Sequence, residues 1–364
     1  LSSHPGPPPS QAPRLVAWET TRACNLACVH CRAAAVYEPD PDELTTAEGL
    51  RLIDQIAALS RGIILILTGG EPLMRPDIFD LAAHGTARGL RVVMAPNGTL
   101  ITPDKVRLMK AAGVQRISVS LDGAAAEDHD RFRGVEGAFD RVLAGLEYAK
   151  AAGLEFQINT TVTRRNLSQL EAVQDLAVSL GAVAHHIFLL VPTGRGRRLT
   201  DEVITAEKYE NTLNWFYDRR NQVPLQLKAT CAPHYYRILR QRAQAEGRKV
   251  DLKTYGLDAV SRGCLGGQGF AFVSSTGRVQ PCGYLELDCG QVRKKDFGEI
   301  YRNSPIFLDL RDQSRYKGKC GVCEFWRVCG GCRARAYAAT GDYLAEEPLC
   351  LYQPRRKEKG HRAF

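Results

Sequence analysis

Leu15-Val-Ala-Trp-Glu19 runs, after four residues, into Cys24-Asn-Leu-Ala-Cys28-Val-His-Cys31. The first five residues are apolar and aromatic enough for a buried strand. Three thiols therefore sit on one tight loop at a strand's carboxyl end. Structural zinc takes four protein ligands, and four-iron clusters usually take four cysteines. Three cysteines leave one metal position open for another molecule. A zinc knob completed by His30 is the bland alternative.

Working outward from this loop, a short apolar run, a loop and an amphipathic stretch repeat as far as Pro192. Strands are expected over 15–19, 63–67, 91–95, 116–121, 155–161 and 184–190, with helices over 45–59, 77–88, 103–112, 137–151 and 168–180. Gly89, Gly113, Gly153 and Gly181 follow helices, where C-terminal caps belong. Such alternation predicts right-handed crossovers and a parallel sheet. The fold class is α/β: an open partial (β/α)6 barrel, with its site at the carboxyl ends of the strands. This barrel spans 15–195 after a flexible segment, 1–14. Residues 196–263, with helices near 206–219 and 234–246 and a strand near 225–228, are expected to complete the barrel and a substrate pocket. Turn-rich sequence over 264–353 reads as a small domain organised by metal rather than by apolar burial. A basic tail, 354–364, ends the chain.

Twelve cysteines without an export signal argue against disulfides, because the cytosol keeps thiols reduced. A cytoplasmic protein is expected. No apolar run is long enough to span a bilayer, and no membrane association is expected. The net charge of +9 sits partly in the tail, and no basic stripe is interleaved with aromatics, so nucleic acid is not an expected partner. A small acidic substrate suits the charge equally well.

The other strand ends add to the cysteine loop. Thr68-Gly69-Gly70-Glu71-Pro72 exposes backbone beside a carboxylate, a set able to receive an ammonium group, although it also reads as a plain turn. Ser118, Ser120 and Asp122, then Asn159 and Thr161, offer hydroxyls, an amide and a carboxylate suited to a ribose. Cys-x3-Cys-x2-Cys followed by Gly-Gly-Glu-Pro resembles the radical S-adenosylmethionine (SAM) superfamily over about 15–195. The resemblance implies that Cys24, Cys28 and Cys31 hold a four-iron four-sulfur (4Fe-4S) cluster whose fourth iron is chelated by SAM. It also implies that Gly69, Gly70 and Glu71 meet the SAM amino group and that Ser118, Ser120, Asp122 and Asn159 lie near the ribose. Arg133 would lie near the carboxylate and Leu190 near adenine. His30 stands where many members carry an aromatic ring.

Cys264-x12-Gly277-x4-Cys282, Cys320-x2-Cys323-x5-Cys329-x2-Cys332 and Cys350 form a second set. Its two Cys-x2-Cys pairs alone fit a zinc ribbon. Beside the first motif, the order resembles the SPASM auxiliary-cluster domain. That implies a far cluster on Cys320, Cys323, Cys329 and Cys350, and a nearer one on Cys264, Cys282 and Cys332. No cysteine occurs from Leu265 to Val273, where such domains often have one, so three alternatives stay open: Cys231 or Cys289 as a substitute ligand, an open iron, or no nearer cluster at all.

Only 23 residues precede Cys24, too few for the peptide-binding domain of many SPASM enzymes. Lys228-Ala-Thr-Cys-Ala-Pro-His-Tyr-Tyr-Arg237, with Thr193-Gly-Arg-Gly and Cys282-Gly-Tyr, instead resembles the radical SAM enzymes of tetrapyrrole maturation. The implied activity is oxidative decarboxylation of two propionates of iron-coproporphyrin III to vinyl groups, giving heme b. Cys231, His234, Tyr235, Tyr236, Arg237 and Arg195 are the substrate contacts expected, with Arg197 and Arg198 as further cations. An external donor such as flavodoxin or ferredoxin and a monomeric chain complete this reading. Acetate removal from didecarboxysiroheme, heme d1 synthesis, peptide maturation and a zinc-ribbon scaffold stay open beside it.

Overall fold

A computed structural model describes residues 11–355; the expected flexible start falls mostly outside them, as does most of the basic tail. Six strands fall where the apolar runs predict them: β1 Leu15–Glu19, β2 Ile64–Thr68, β3 Arg91–Met94, β4 Arg116–Ser120, β5 Glu155–Val162 and β6 Ala184–Leu189. The helices α1 Thr46–Leu59, α2 Ile78–Ala87, α3 Pro103–Ala111, α5 Ala138–Ala151 and α6 Leu170–Leu180 alternate with them. Between β4 and β5 the structure adds a helix outside the expected ones, α4 Ala126–Arg133, short and largely charged, which carries Arg133.

Local chemistry sets the helix limits. Thr45 and Glu48 form a reciprocal capping box at the start of α1. Gly181 caps α6 with φ 86°, a left-handed conformation that costs glycine little.

All strands from β1 to β6 pair in parallel, and the sheet extends beyond them at both edges. After α7 Ala206–Arg219, β7 Gln226–Thr230 pairs in parallel with β6, Lys228 standing opposite His186. The alternation thus continues past Pro192, disguised in the sequence by the Gly/Arg loop. α8 His234–Ala245 follows. At the other edge, β8 Phe270–Val273 pairs in parallel with β1, and β9 Arg278–Gln280 and β10 Gly290–Gln291 follow antiparallel. The cysteine-rich region is therefore built on the same sheet. Its Ala271, Val273, Val279, Phe297, Ile300, Tyr301 and Phe307 belong to the main apolar core, so the expectation that metal alone organises it is corrected.

Each strand divides its side chains between two environments. Ile117 and Val119 of β4 are fully buried against the helices. Ser118 and Ser120 face the opposite, concave side. Pairing aligns Ser120, Asn159, His186 and Lys228 in one polar row across β4 to β7. Among the described residues no helix is long and apolar enough to cross a membrane.

Candidate active site

All twelve cysteines are free thiols. Cys24 and Cys28 are buried and Cys31 is half-buried. Their sulfurs already accept hydrogen bonds: Leu26 N–H donates to Cys24 (3.4 Å), Ala35 N–H to Cys31 (3.4 Å), Arg133 Nη1 to Cys28 (3.6 Å) and Asn97 Nδ2 to Cys24 (3.8 Å). Donors aimed at sulfur suit thiolates that carry negative charge. Burial pushes the Cys24 thiol up to about 11 and raises that of Cys28, so an ionised set needs a metal's charge beside it. Among the described residues no three His, Cys, Asp or Glu side chains close on a single-ion point. A cluster does not require that, because each thiolate meets a different iron. The donor set fits a four-iron cluster.

Neighbouring loops hold this one in shape. Gly70 N–H donates to Thr21 O and Glu71 N–H to Ala23 O, both at 2.7 Å. A Cβ on Gly70 would lie 2.4 Å from Ala23 O, so only glycine permits the approach. Glu71 is fully buried; Oε1 accepts from Leu73 N–H (2.9 Å) and Oε2 from Asn97 N–H (2.6 Å). It braces the strand ends, and burial raises its carboxyl to about 7. Asn97, at the end of β3, was missed because that strand end carries no charged motif. Its Nδ2 also donates to Asn25 Oδ1 (2.8 Å), while its Oδ1 accepts from Thr99.

Asp122 and Arg133 form a buried ion pair, and Asp122 Oδ1 accepts from Thr161 N–H (2.6 Å). Burial raises the Asp122 carboxyl, opposed by the guanidinium beside it. Asp122 is therefore committed within the protein, leaving Ser118, Ser120 and Asn159 on the concave face. Asn159 Oδ1 accepts from Gln157 Nε2 (2.9 Å), which also lies 2.9 Å from His186 Nδ1. His30 stacks on Phe132 at 4.2 Å, so its ring packs as an aromatic one would. Leu190 is buried just after β6. Three buried nitrogens here, His30 Nδ1, Arg133 Nε and Arg195 Nη2, lack a hydrogen-bond partner within the protein.

Several expected substrate contacts have other work. Arg195 Nε donates to Cys28 O (2.8 Å) and Nη1 to Ala35 O (2.6 Å), so it clamps the cysteine loop. A Cβ on Gly194 would stand 2.1 Å from Arg32 O, which explains the glycine in Thr193-Gly-Arg-Gly. Arg197 pairs with Glu286 at the surface, and Arg198 is exposed. Tyr235 and Tyr236 are core residues packed on α7 and on each other. Arg237 is buried against Glu210 (2.5 Å) and Gln241 (2.6 Å). His234 Nε2 lies 2.8 Å from Glu347. Burial opposes its protonation, yet Glu347 and Cys350 raise it to about 9.

Cys320, Cys323, Cys329 and Cys350 line one cavity, walled also by His234 and Arg237. The structure brings together the four thiols expected for the far cluster, and it assigns His234 and Arg237 to their surroundings. Cys264 and Cys282 flank Gly266, whose added Cβ would lie 3.7 and 3.9 Å from them. Cys282 and Cys332 share an apolar cluster with Cys231 and Tyr284. Arg32 joins the two regions, with Nη2 on Glu19 (2.9 Å) and Nη1 on Gly283 O (3.5 Å). Sequence offered no signal for Arg32 beyond its adjacency to Cys31.

Residues 18–177 match the Radical SAM superfamily, and residues 264–330 match the iron-sulfur cluster-binding domain SPASM. The AdoMet-dependent heme synthase of Nitratidesulfovibrio vulgaris is 59% identical over 94% of this chain and 93% of its own length. The enzyme of the same name from Methanosarcina barkeri is 57% identical over 96% and 99%. Fe-coproporphyrin III synthase of M. barkeri is 31% identical over 92% and 87%. Among solved structures, Streptococcus suis SuiB bound to precursor peptide SuiA superposes with a TM-score of 0.74 at 18% identity, covering 94% of this chain and 76% of that one. At that identity the likeness concerns the fold.

Proposed function

The chain belongs to the radical SAM superfamily and carries its SPASM domain, and from that premise we propose that it oxidatively decarboxylates two propionates of iron-coproporphyrin III to vinyl groups, forming heme b. It is a radical SAM enzyme of heme synthesis, and its cofactors are a 4Fe-4S cluster, SAM and auxiliary iron–sulfur clusters. One observation carries the finer reading: identity of 57–59% across nearly the whole chain to proteins named AdoMet-dependent heme synthase, against 31% to Fe-coproporphyrin III synthase. Acetate removal and peptide maturation are correspondingly less favoured.

When bound, the N-terminal cluster and SAM supply a 5′-deoxyadenosyl radical, and the auxiliary clusters supply an electron acceptor. Cys24, Cys28 and Cys31 hold the first cluster, with Asn97 and Arg133 damping the charge on its sulfurs. The carbonyls of Gly69 and Gly70 would meet the SAM ammonium, Glu71 bracing the strand ends; Ser120 and Asn159 would lie near the ribose and Leu190 near the adenine. The polar row ends on Lys228, whose ammonium burial holds below the usual lysine range against a pull from Asp258. A propionate beside Lys228 and His186 would restore that charge, the part that Arg195 and Arg237 are too committed to play. Removing hydrogen from the propionate carbon next to the ring, and then carbon dioxide, leaves one electron to depart per vinyl group. Arg32 keeps the cysteine loop against Gly283, next to the acceptor's ligand Cys282.

An external donor such as flavodoxin or ferredoxin would supply the electron that starts each cycle. The test is anaerobic incubation of reconstituted enzyme with SAM, reductant and iron-coproporphyrin III, followed by mass analysis. Heme b should appear, with one 5′-deoxyadenosine per vinyl group. Deoxyadenosine formed while all four propionates persist would overturn the proposal.

A further inference from the structure

The nearer group of C-terminal cysteines has three members from the SPASM segment, and no fourth occurs between Leu265 and Val273. Two cysteines outside the seven-residue pattern compete for the place. Cys289 packs against the main core and is not part of the cluster that holds Cys282 and Cys332. Cys231 lies on the short connection between β7 and α8, and its thiol is a neighbour of that of Cys332. It also shares the apolar cluster that contains Cys282 and Cys332.

The backbone at Cys231 points the same way. Its φ is 56°, in the left-handed region; only Ala34, in the N-terminal cysteine loop, joins it there among the described non-glycine residues. Strain of this kind persists where the surroundings over-determine it, and it gathers at functional sites. Here Arg335 Nη2 (2.9 Å) and Tyr209 OH (3.2 Å) both donate to Cys231 O. Arg335 lies three residues after Cys332 and is itself fixed by Glu347 (2.8 Å) and Leu189 O (3.3 Å). One buried guanidinium thus sets Cys231 relative to Cys332.

We infer that Cys231 is the fourth protein ligand of the nearer auxiliary cluster, completing a set with Cys264, Cys282 and Cys332. The ligand comes from the barrel rather than from the cysteine-rich segment, three residues beyond Lys228 of the polar row. With four thiolates the cluster keeps no iron open for a substrate, so it serves as an electron carrier. This rests on the auxiliary-cluster assignment and is independent of which tetrapyrrole is bound.

Anaerobically reconstituted full-length protein tests it by iron analysis and electron paramagnetic resonance of the reduced clusters, without any tetrapyrrole. Cys231→Ala should lose the same resonance that Cys282→Ala loses, and Cys289→Ala should match the wild type. Cys231→Ser, which keeps a ligating oxygen, should retain iron and shift the g-values of that one cluster. It guards against the alanine variant failing to fold. Wild-type iron and spectra in Cys231→Ala, or an unshifted spectrum in Cys231→Ser, overturns the assignment. Equally, an imidazole-induced change in the nearer cluster of the wild type would mean an open iron and overturn the assignment.

Discussion

The two cysteine regions solve the same problem in opposite ways. The N-terminal set is local: three thiols on one loop, shaped by strand ends that press on its backbone. The C-terminal set is dispersed, gathered from loops, a helix start and a barrel connection by tertiary packing. In the proposed reading the local set is left incomplete, and its missing ligand is the place for SAM. The dispersed set is completed by the fold, which is why its far members already line one cavity. A local motif can therefore be read from spacing, whereas a dispersed one has to be read from contacts.

The widest separation between the regions should appear on removing one ligand from each. Cys28→Ala should abolish SAM cleavage, measured as 5′-deoxyadenosine, because no other residue of the loop replaces a lost thiolate. Cys323→Ala should leave deoxyadenosine formation uncoupled from decarboxylation. If both variants fall silent together, the far cysteines serve mainly to hold the fold, and the contrast fails.

Next in size is the shell around the local set. Asn97→Ala removes a donor to Cys24 together with the bridge to Asn25. Losing such an outer partner should cost about 10–100-fold in cluster affinity or activity. Titration of iron into apoprotein, followed by deoxyadenosine assay, checks this. Unchanged iron retention would mean that backbone donors suffice. Gly194→Ala probes the same loop from outside, since the new methyl would press on Arg32 O in a residue with φ 55°. Overpacking against backbone should cost about 1–3 kcal/mol in urea unfolding.

The same contrast explains what the sequence made legible. Seven strands, β1 to β7, and seven helices, α1 to α3 and α5 to α8, were readable because apolar runs and amphipathic periods are local properties. β8 was not, since its partner β1 lies at the far end of the chain. The cysteine loop was readable for the same reason as the strands. The grip of Arg195 on the cysteine loop was not legible, because its acceptors, Cys28 O and Ala35 O, become neighbours only when the Gly194 turn docks. Tyr235 and Tyr236 looked like a platform for a flat ring, yet helical spacing cannot tell a stacking face from a core face. Lys228 and His186 drew no attention singly, because the row they form exists only in the register of β6 and β7.

The smallest effect concerns how the two regions are fastened. Arg293, beyond β10, reaches Glu48 of α1 through two hydrogen bonds, at 2.7 and 3.0 Å, and also Asp42 O and Glu43 O. Glu48 completes the capping box at Thr45 as well. The hydrogen bond from Arg293, then the cap, hold the Glu48 carboxyl down to about 2 against an ordinary 4.5. Because the folded value is the lower one, the stabilisation is present above pH 4.5 and fades as pH falls through about 2. Glu48→Gln should therefore destabilise by about 1 kcal/mol at pH 7, the usual scale for a cap or a partly exposed ion pair. Urea unfolding of cluster-free wild type and variant should give curves that converge as pH is lowered below 4.5. A difference that persists unchanged at low pH would assign Glu48 to packing rather than charge, and the fastening of the C-terminal region to α1 would then rest on β8 and the shared core.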